Sequence, residues 1–159
     1  MARAIAVIDI DGVLADVGHR VHHLQGARKD WDGFFAAMDA DPPHPEGLAV
    51  AGELAREHVV VYLSGRPERT RRTTQTWLDG HGLPRGRLIL RPDDDRRPAR
   101  LFKLGELRAL ATQGEVALLV DDDVQVCRAA RAAGFAVYEA AWSRPDQSLV
   151  DAQERDGRT

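Results

Sequence analysis

The stretch VIDIDGVLAD, residues 7–16, carries an apolar strand straight into Asp-Ile-Asp-Gly. A strand apolar on both faces is buried on both, as a central parallel strand is. Its end therefore lies at the carboxyl edge of a sheet, where open α/β folds bind their ligands. Two carboxylates one residue apart, Asp9 and Asp11, stand at that edge. A turn or a helix cap needs one such residue at most, so the pair is read as chemistry.

The rest of the chain repeats the theme. Residues 4–8, 59–63, 87–90, 116–120 and 135–138 are short, apolar and β-rich. Between them, residues 45–57, 69–82, 100–112 and 124–134 space apolar side chains three and four apart, as amphipathic helices do. Gly82 and Gly134 fit helix ends. Alternating strands and helices predict a Rossmann-like, doubly wound parallel sheet. Residues 14–44 break the rhythm: KDWDGFFAAMDAD (29–41) holds one short amphipathic helix, and DPPHP (41–45) ends it. This segment is read as a small helical lid inserted after the first strand. One domain is expected over 1–142, with the lid over 14–44, followed by a polar, aperiodic tail over 143–159.

The chain has 159 residues, enough for one domain with a true core. No apolar run reaches the length of a membrane span, and nothing before Ile5 reads as a secretory signal. The single cysteine, Cys127, excludes an internal disulfide, so a cytoplasmic location is expected and a buried structural thiol is the simpler reading. Net charge is −3, unevenly spread. From Ser64 to Arg108 twelve cations face six acids, a surplus of six that leaves a deficit of nine elsewhere. Such a basic middle fits an anionic ligand, although a solvated arginine-rich face produces the same count.

The residues just past the strand ends form one constellation. Asp9, Asp11 and Gly12 come after the first strand, Ser64, Gly65 and Arg66 after the second, Arg91 and Asp95 after the third, and Asp121, Asp122 and Asp123 after the fourth; Lys103 lies near the start of the helix between the third and fourth. Clustered carboxylates repel unless a hard cation joins them, and an all-oxygen site open to water and phosphate favours Mg²⁺. A carboxylate can attack phosphorus, a second can carry the proton, and hydroxyl, amide and ammonium groups can hold the equatorial oxygens. Lys103 stands out in a chain with only one other lysine, Lys29: where arginine is the habit, a compact ammonium has been kept.

This order of motifs resembles the haloacid dehalogenase (HAD) superfamily of phosphohydrolases across roughly residues 4–142. The resemblance implies Asp9 as nucleophile and Asp11 as general acid and base. It implies Ser64 on the phosphoryl group and Lys103 steadying both phosphate and nucleophile. Mg²⁺ would be held by Asp9, the Asp11 carbonyl, Asp121 and Asp122, with Asp122 the direct ligand.

DIDGVLADVGHR (9–20), SGRPERT (64–70), Arg91 with Asp95, Arg97 and Lys103, and DDDVQV (121–126) further resemble the 3′-phosphatase module of phage-type polynucleotide kinase-phosphatases. That implies removal of a 3′-phosphate from nucleic-acid ends. Arg20 and Arg66 would bind the phosphate, and Gly65, Asp95 and Arg97 complete the substrate set. The phage pattern is acidic just before the lysine, where this chain has Ala99 and Arg100. No G-x-x-x-x-G-K-[ST] loop occurs, so a kinase or ligase would act as a separate partner.

Other readings are weaker. A 5′(3′)-deoxyribonucleotidase shares DGVLAD but matches less elsewhere. A receiver-like signalling domain would put its acidic pair after the first strand. His19, His22 and His23 have no cysteine or carboxylate at zinc spacing. Trp31, Phe34 and Phe35 read as lid core rather than a base-stacking platform, and Trp77 as core.

Overall fold

The computed structural model describes residues 2–159. In chain order the regular elements are β1 (Ile5–Ile8), α1 (Trp31–Ala36), α2 (Pro45–Glu57), β2 (Val59–Pro67), α3 (Arg71–Gly80), β3 (Arg87–Arg91), α4 (Ala99–Ala111), β4 (Val116–Asp121), α5 (Val124–Ala132), β5 (Val137–Glu139) and α6 (Gln147–Glu154). The five strands form one sheet in the order β3-β2-β1-β4-β5, and every pairing is parallel. This is the Rossmann-like architecture expected from the alternation of apolar runs.

Side-chain alternation along the strands builds two cores. Ile8, Val60, Tyr62, Leu88 and Val120 face α2 and α3 through Ala51, Trp77 and Leu78. Val7, Val61, Leu63, Ile89 and Leu119 face α4 and α5 through Phe102, Leu107, Leu110, Val126 and Ala130. Trp77 is core, and its indole N–H donates to the Asp41 carbonyl. Cys127 is buried, and burial pushes its thiol pKa up.

The position of the site derives from strand order. The chain runs outward from β1 through β2 to β3, then crosses back to β4 on the other side of β1. Where the winding reverses, the loops after neighbouring strands part and leave a crevice. Asp9 to Gly12 lie at this reversal, between the ends of β2 and β4. Strand β2 runs four residues past its expected end, through Ser64–Pro67, with a register shift against β3 that accommodates the turn residues.

The lid forms after β1 as expected, with a shorter helix. Single 3₁₀ segments at Gly18–Leu24 and Met38–Ala40 flank α1, which Asp30 caps by accepting the Gly33 amide at 2.9 Å. Val17, Val21, Leu24, Phe34, Phe35 and Met38 form its core. Residues 143–159 depart from the sequence reading. Asp146 caps α6 by accepting the Ser148 amide, and Leu149 and Ala152, three residues apart on one face, complete the lid core. Eight residues with so few apolar positions show no clear period, which is why the sequence reads as a loose tail. Emptying this contact should be costly: Leu149 is 2% exposed, and Leu149→Ala should remove about 3 kcal/mol of stability in urea unfolding, whereas an unpacked tail would tolerate it without change.

Candidate active site

Three strand ends, β1, β2 and β4, and helix α4 deliver polar and charged side chains that are almost wholly buried. Asp9, Asp11, Ser64, Arg66, Lys103, Asp121 and Asp122 are at most 6% exposed, as is Arg20 from the lid. Burying so many charges is unfavourable unless each finds a partner. The partners divide the site into two halves.

The first half surrounds Lys103. Its ammonium lies 2.9 Å from Asp9 and 2.7 Å from Asp121, and these two carboxylates push its pKa up against the opposing effect of burial. Asp121 is further engaged by the Asp123 amide. Among the described residues Asp122 has no cation within ion-pair distance; it accepts the Ser143 hydroxyl at 3.1 Å, and its Oδ1 is buried without a partner there. Burial and then the Asp121 charge raise the pKa of Asp122 to about 7, and the same two causes raise Asp9. Asp123 turns away to cap α5, accepting the Gln125 and Val126 amides.

One oxygen from each of Asp9, Asp121 and Asp122 lies within 4.8 Å of the others. An all-carboxylate trio with an orphaned oxygen, in which Asp9 and Asp122 have raised pKa values, fits a divalent cation, which would remove the mutual repulsion. Asp121 already uses both oxygens, so Asp122 is the better placed for direct ligation. Gly12 makes the approach possible: its φ is +86°, and a Cβ there would fall 2.0 Å from an Asp122 carboxylate oxygen.

The second half surrounds Asp11. Arg66 donates to Asp11 Oδ1 from Nε at 3.0 Å and from Nη2 at 2.6 Å, and Arg20 Nη2 donates to the same oxygen at 3.2 Å. Burial alone would raise the Asp11 pKa, but Arg66 and then Arg20 outweigh it and hold the carboxyl at about 2. Both guanidiniums are shared with Asp41. Arg20 reaches it at 2.8 and 2.9 Å, Arg66 at 3.1 Å, and the imidazole Nε2 of His19 at 2.6 Å. Arg66 also donates to Thr74 at 3.2 Å, while Arg20 lies 4.3 Å over the Phe34 ring.

Asp41 escapes the sequence reading, because an acid before Pro-Pro looks like a turn residue. The available signal is indirect: two buried arginines aimed at one carboxylate need a second anion. His22 and His23 lie against each other with ring centroids 4.1 Å apart and planes tilted by 33°.

The remaining candidates divide. Ser64 accepts the Arg66 amide at 3.1 Å and so shapes the turn. The Gly65 carbonyl accepts from Arg91, whose guanidinium also donates to the Arg97 and Thr159 carbonyls. Asp95 lies 3.7 Å from Arg91 and holds Arg97 at 2.7 Å. Asp95 and Arg97 thus support the Gly65 turn from behind, one step removed from Asp11. The tail, in contrast, reaches the site: a Cβ on Gly65 would lie 2.2 Å from the Thr159 carbonyl carbon, and the Thr159 hydroxyl is 3.5 Å from Asp11 Oδ2. If Asp41 is the shared anchor, Asp41→Ala should leave two buried guanidiniums sharing the single Asp11 carboxylate and cost about 3–5 kcal/mol in chemical unfolding. A loss below about 1 kcal/mol, the worth of a surface pair, would show the anchor to be unnecessary.

The family described as the polynucleotide kinase PNKP phosphatase domain matches residues 3–143. No curated protein matches significantly. Among solved structures, a Pnkp1/Rnl/Hen1 complex superposes with a TM-score of 0.73 at 20% identity, covering 91% of this chain and 48% of that one. This chain thus spans about half the length of that neighbour. A haloacid dehalogenase-like hydrolase from Streptococcus pneumoniae superposes with a TM-score of 0.63 at 14% identity over 96% of this chain and 91% of that one. A HAD-family enzyme from Bacteroides thetaiotaomicron, in complex with magnesium and inorganic phosphate, gives 0.51 at 13% over 93% and 99%. At such identities the structures speak for the fold; the family match over most of the chain goes further, and the protein belongs to the polynucleotide kinase PNKP phosphatase-domain family, within the HAD phosphohydrolases.

Proposed function

We propose that this chain is a Mg²⁺-dependent phosphomonoesterase that removes a terminal 3′-phosphate from nucleic acid through an aspartyl-phosphate intermediate. The observation that carries the proposal is the pairing of the two halves. A carboxylate trio with an orphaned oxygen lies beside two buried guanidiniums on Asp11, and Asp9 and Asp11 come from one turn.

Asp9, Asp122, Asp121 and the Asp11 carbonyl would hold the metal, which supplies Lewis-acid stabilisation of phosphoryl oxygens and screens the nucleophile from the dianion it attacks. Asp9 is the nucleophile. Its carboxylate forms the new P–O bond as the 3′ oxygen of the nucleotide leaves, and Lys103, 2.9 Å away, keeps it oriented and partly neutralised. Ser64, the Gly65 amide and Lys103 receive the equatorial oxygens.

Asp11 carries the proton. Held at about 2, it is ionised in this structure, the opposite of what a proton donor needs. The groups that keep it ionised are the phosphate-binding arginines themselves. As Arg20 and Arg66 turn to the phosphoryl oxygens, Asp11 loses the charges that lower its pKa while burial, which raises it, remains. Substrate binding thereby converts Asp11 into an acid for the leaving oxygen. Once deprotonated, it is the base that takes a proton from the water attacking the aspartyl phosphate. Asp41 stays behind as the common counter-ion, so the arginines never lack a partner.

The test is phosphate release from a panel of 3′- and 5′-phosphorylated oligonucleotides and mononucleotides, with and without EDTA. Release should require added Mg²⁺, and Asp9→Asn should lower kcat by at least about a thousandfold, because an amide is a poor nucleophile. An oligonucleotide 3′-phosphate should exceed a 3′-mononucleotide in kcat/KM by at least about tenfold, a gap of about 1.4 kcal/mol. Equal values, or a preference for 5′-mononucleotides, would overturn the substrate in favour of a deoxyribonucleotidase. Full activity in EDTA would overturn the metal.

A further inference from the structure

The proposed function uses the buried arginines and leaves the cations on the rim without a task. Three of them converge where core, lid and tail meet. Arg69 leaves the turn after β2 and lies 5.2 Å over the Phe35 ring. Arg158, in the tail, lies 4.7 Å over the Trp31 ring. Those two rings stack on each other at 6.3 Å with 24° between their planes. Two guanidiniums from distant parts of the chain are therefore laid side by side on one aromatic floor, a weakly hydrated arrangement that arginine tolerates. Arg96 completes the group. Gly157 fits tightly against its backbone, where a Cβ would fall 2.1 Å from the Arg96 carbonyl oxygen.

These cations are poorly neutralised. The ion pair of Arg69 with Asp93 is long, at 3.7 Å. Among the described residues the Arg96 guanidinium bonds only the Asp93 and Asp95 carbonyls. Arg158 has no carboxylate partner among the described residues. Its pKa is lowered by burial and then by Arg96 and Arg69, whose repulsion outweighs the smaller opposing effects of Asp156 and Asp32. Lys29, 5.7 Å over Trp31, is paired with Asp156 and stands outside the group. Arginines held together against their own repulsion need an anion between them.

The location selects the anion. Arg158 adjoins Thr159, whose hydroxyl is 3.5 Å from Asp11, and Arg69 lies three residues beyond Arg66. The cluster is thus immediately outside the site of the terminal phosphate, on the side where Gly65 meets the tail. We propose that Arg69, Arg96 and Arg158 form a second anion subsite, which binds the internucleotide phosphodiester next to the terminal 3′-phosphate. The subsite rests on the nucleic-acid reading of the active site and names the group that would separate an oligonucleotide from a mononucleotide. It also accounts for the lid aromatics: the faces of Trp31 and Phe35 carry guanidiniums, so they seat the cations rather than stack on bases.

The experiment compares 3′-phosphorylated mono-, di- and hexanucleotides on the intact 159-residue chain and on Arg69→Gln, Arg96→Gln and Arg158→Gln, singly and combined. One added diester is what the subsite takes, so wild-type kcat/KM should rise mainly between mono- and dinucleotide. The triple variant should lose at least about fivefold on the dinucleotide while changing less than about twofold on the mononucleotide. Its log kcat/KM should also depend less steeply on log salt, by about one unit for the phosphate no longer neutralised. Arg158→Lys, which keeps the charge, should retain most of the dinucleotide advantage, and unfolding curves verify that each variant is folded. A dinucleotide advantage preserved in the triple variant, or an equal loss on the mononucleotide, overturns the subsite.

A binding arm separates this outcome from failure of the proposed function. A fluorescein-labelled hexanucleotide without terminal phosphate should bind wild type at low salt and bind the triple variant at least about fivefold more weakly. Millimolar inorganic phosphate should compete poorly if a diester within a strand is the ligand. That pattern in a chain that releases no 3′-phosphate would sink the phosphatase reading and leave the subsite standing. Equal binding by the two proteins, or displacement by inorganic phosphate alone, would sink the subsite.

Discussion

Charge compensation at the end of β1 constrains everything packed above it. Five buried carboxylates, Asp9, Asp11, Asp41, Asp121 and Asp122, share three buried cations, Arg20, Arg66 and Lys103. The sharing is uneven. Lys103 serves Asp9 and Asp121, both arginines serve Asp11 and Asp41, and Asp122 is left out. Each buried charge would be prohibitive alone, so the site is stable only as a set. The same imbalance underlies the proposed chemistry, in which a divalent cation would answer the deficit on the Asp122 side and the shared guanidiniums on the Asp11 side would turn to a phosphate.

Much of the surrounding structure serves this arrangement. Gly12 lets Asp122 come close. Trp77 pins the Asp41 carbonyl from the core, and Arg20 is carried in by a lid segment whose hydrophobic interior is finished by α6. The lid is therefore more than a cover: it supplies half of the guanidinium pair and, through Asp41, the anion that holds both. The tail is coupled to the same system, since it packs on the lid at one end and meets Asp11, Gly65 and Arg91 at the other.

The sheet was legible because most of its strands are buried on both faces, edge strand β5 excepted, which leaves uninterrupted apolar runs that no amphipathic helix imitates. Asp9, Asp11, Lys103, Asp121 and Asp122 stood out through their order after successive strands; the structure gathers Asp9, Lys103, Asp121 and Asp122 within hydrogen-bonding or ligand distance, and pairs Asp11 with Arg20 and Arg66 instead. Three features were not. Asp41 lies in a proline-broken segment where an acid is unremarkable, and only its three-dimensional partners give it meaning. Strand β2 continues through Ser-Gly-Arg-Pro, residues that read as a turn, because the neighbouring strand changes register to accompany them. Helix α6 is too short to display a period, and its role depends on a lid surface more than a hundred residues away in sequence. What local pattern could not show, in each case, was a long-range partner.

The central claim is that Asp9 takes the phosphoryl group before water does. The most direct measurement is the steric course at phosphorus, using a nucleic-acid 3′-thiophosphate made chiral with oxygen isotopes and hydrolysed in isotopically labelled water. Two successive in-line displacements, one by Asp9 and one by water, predict net retention of configuration. Net inversion would mean that water attacks the substrate in a single step, and it would contradict the account.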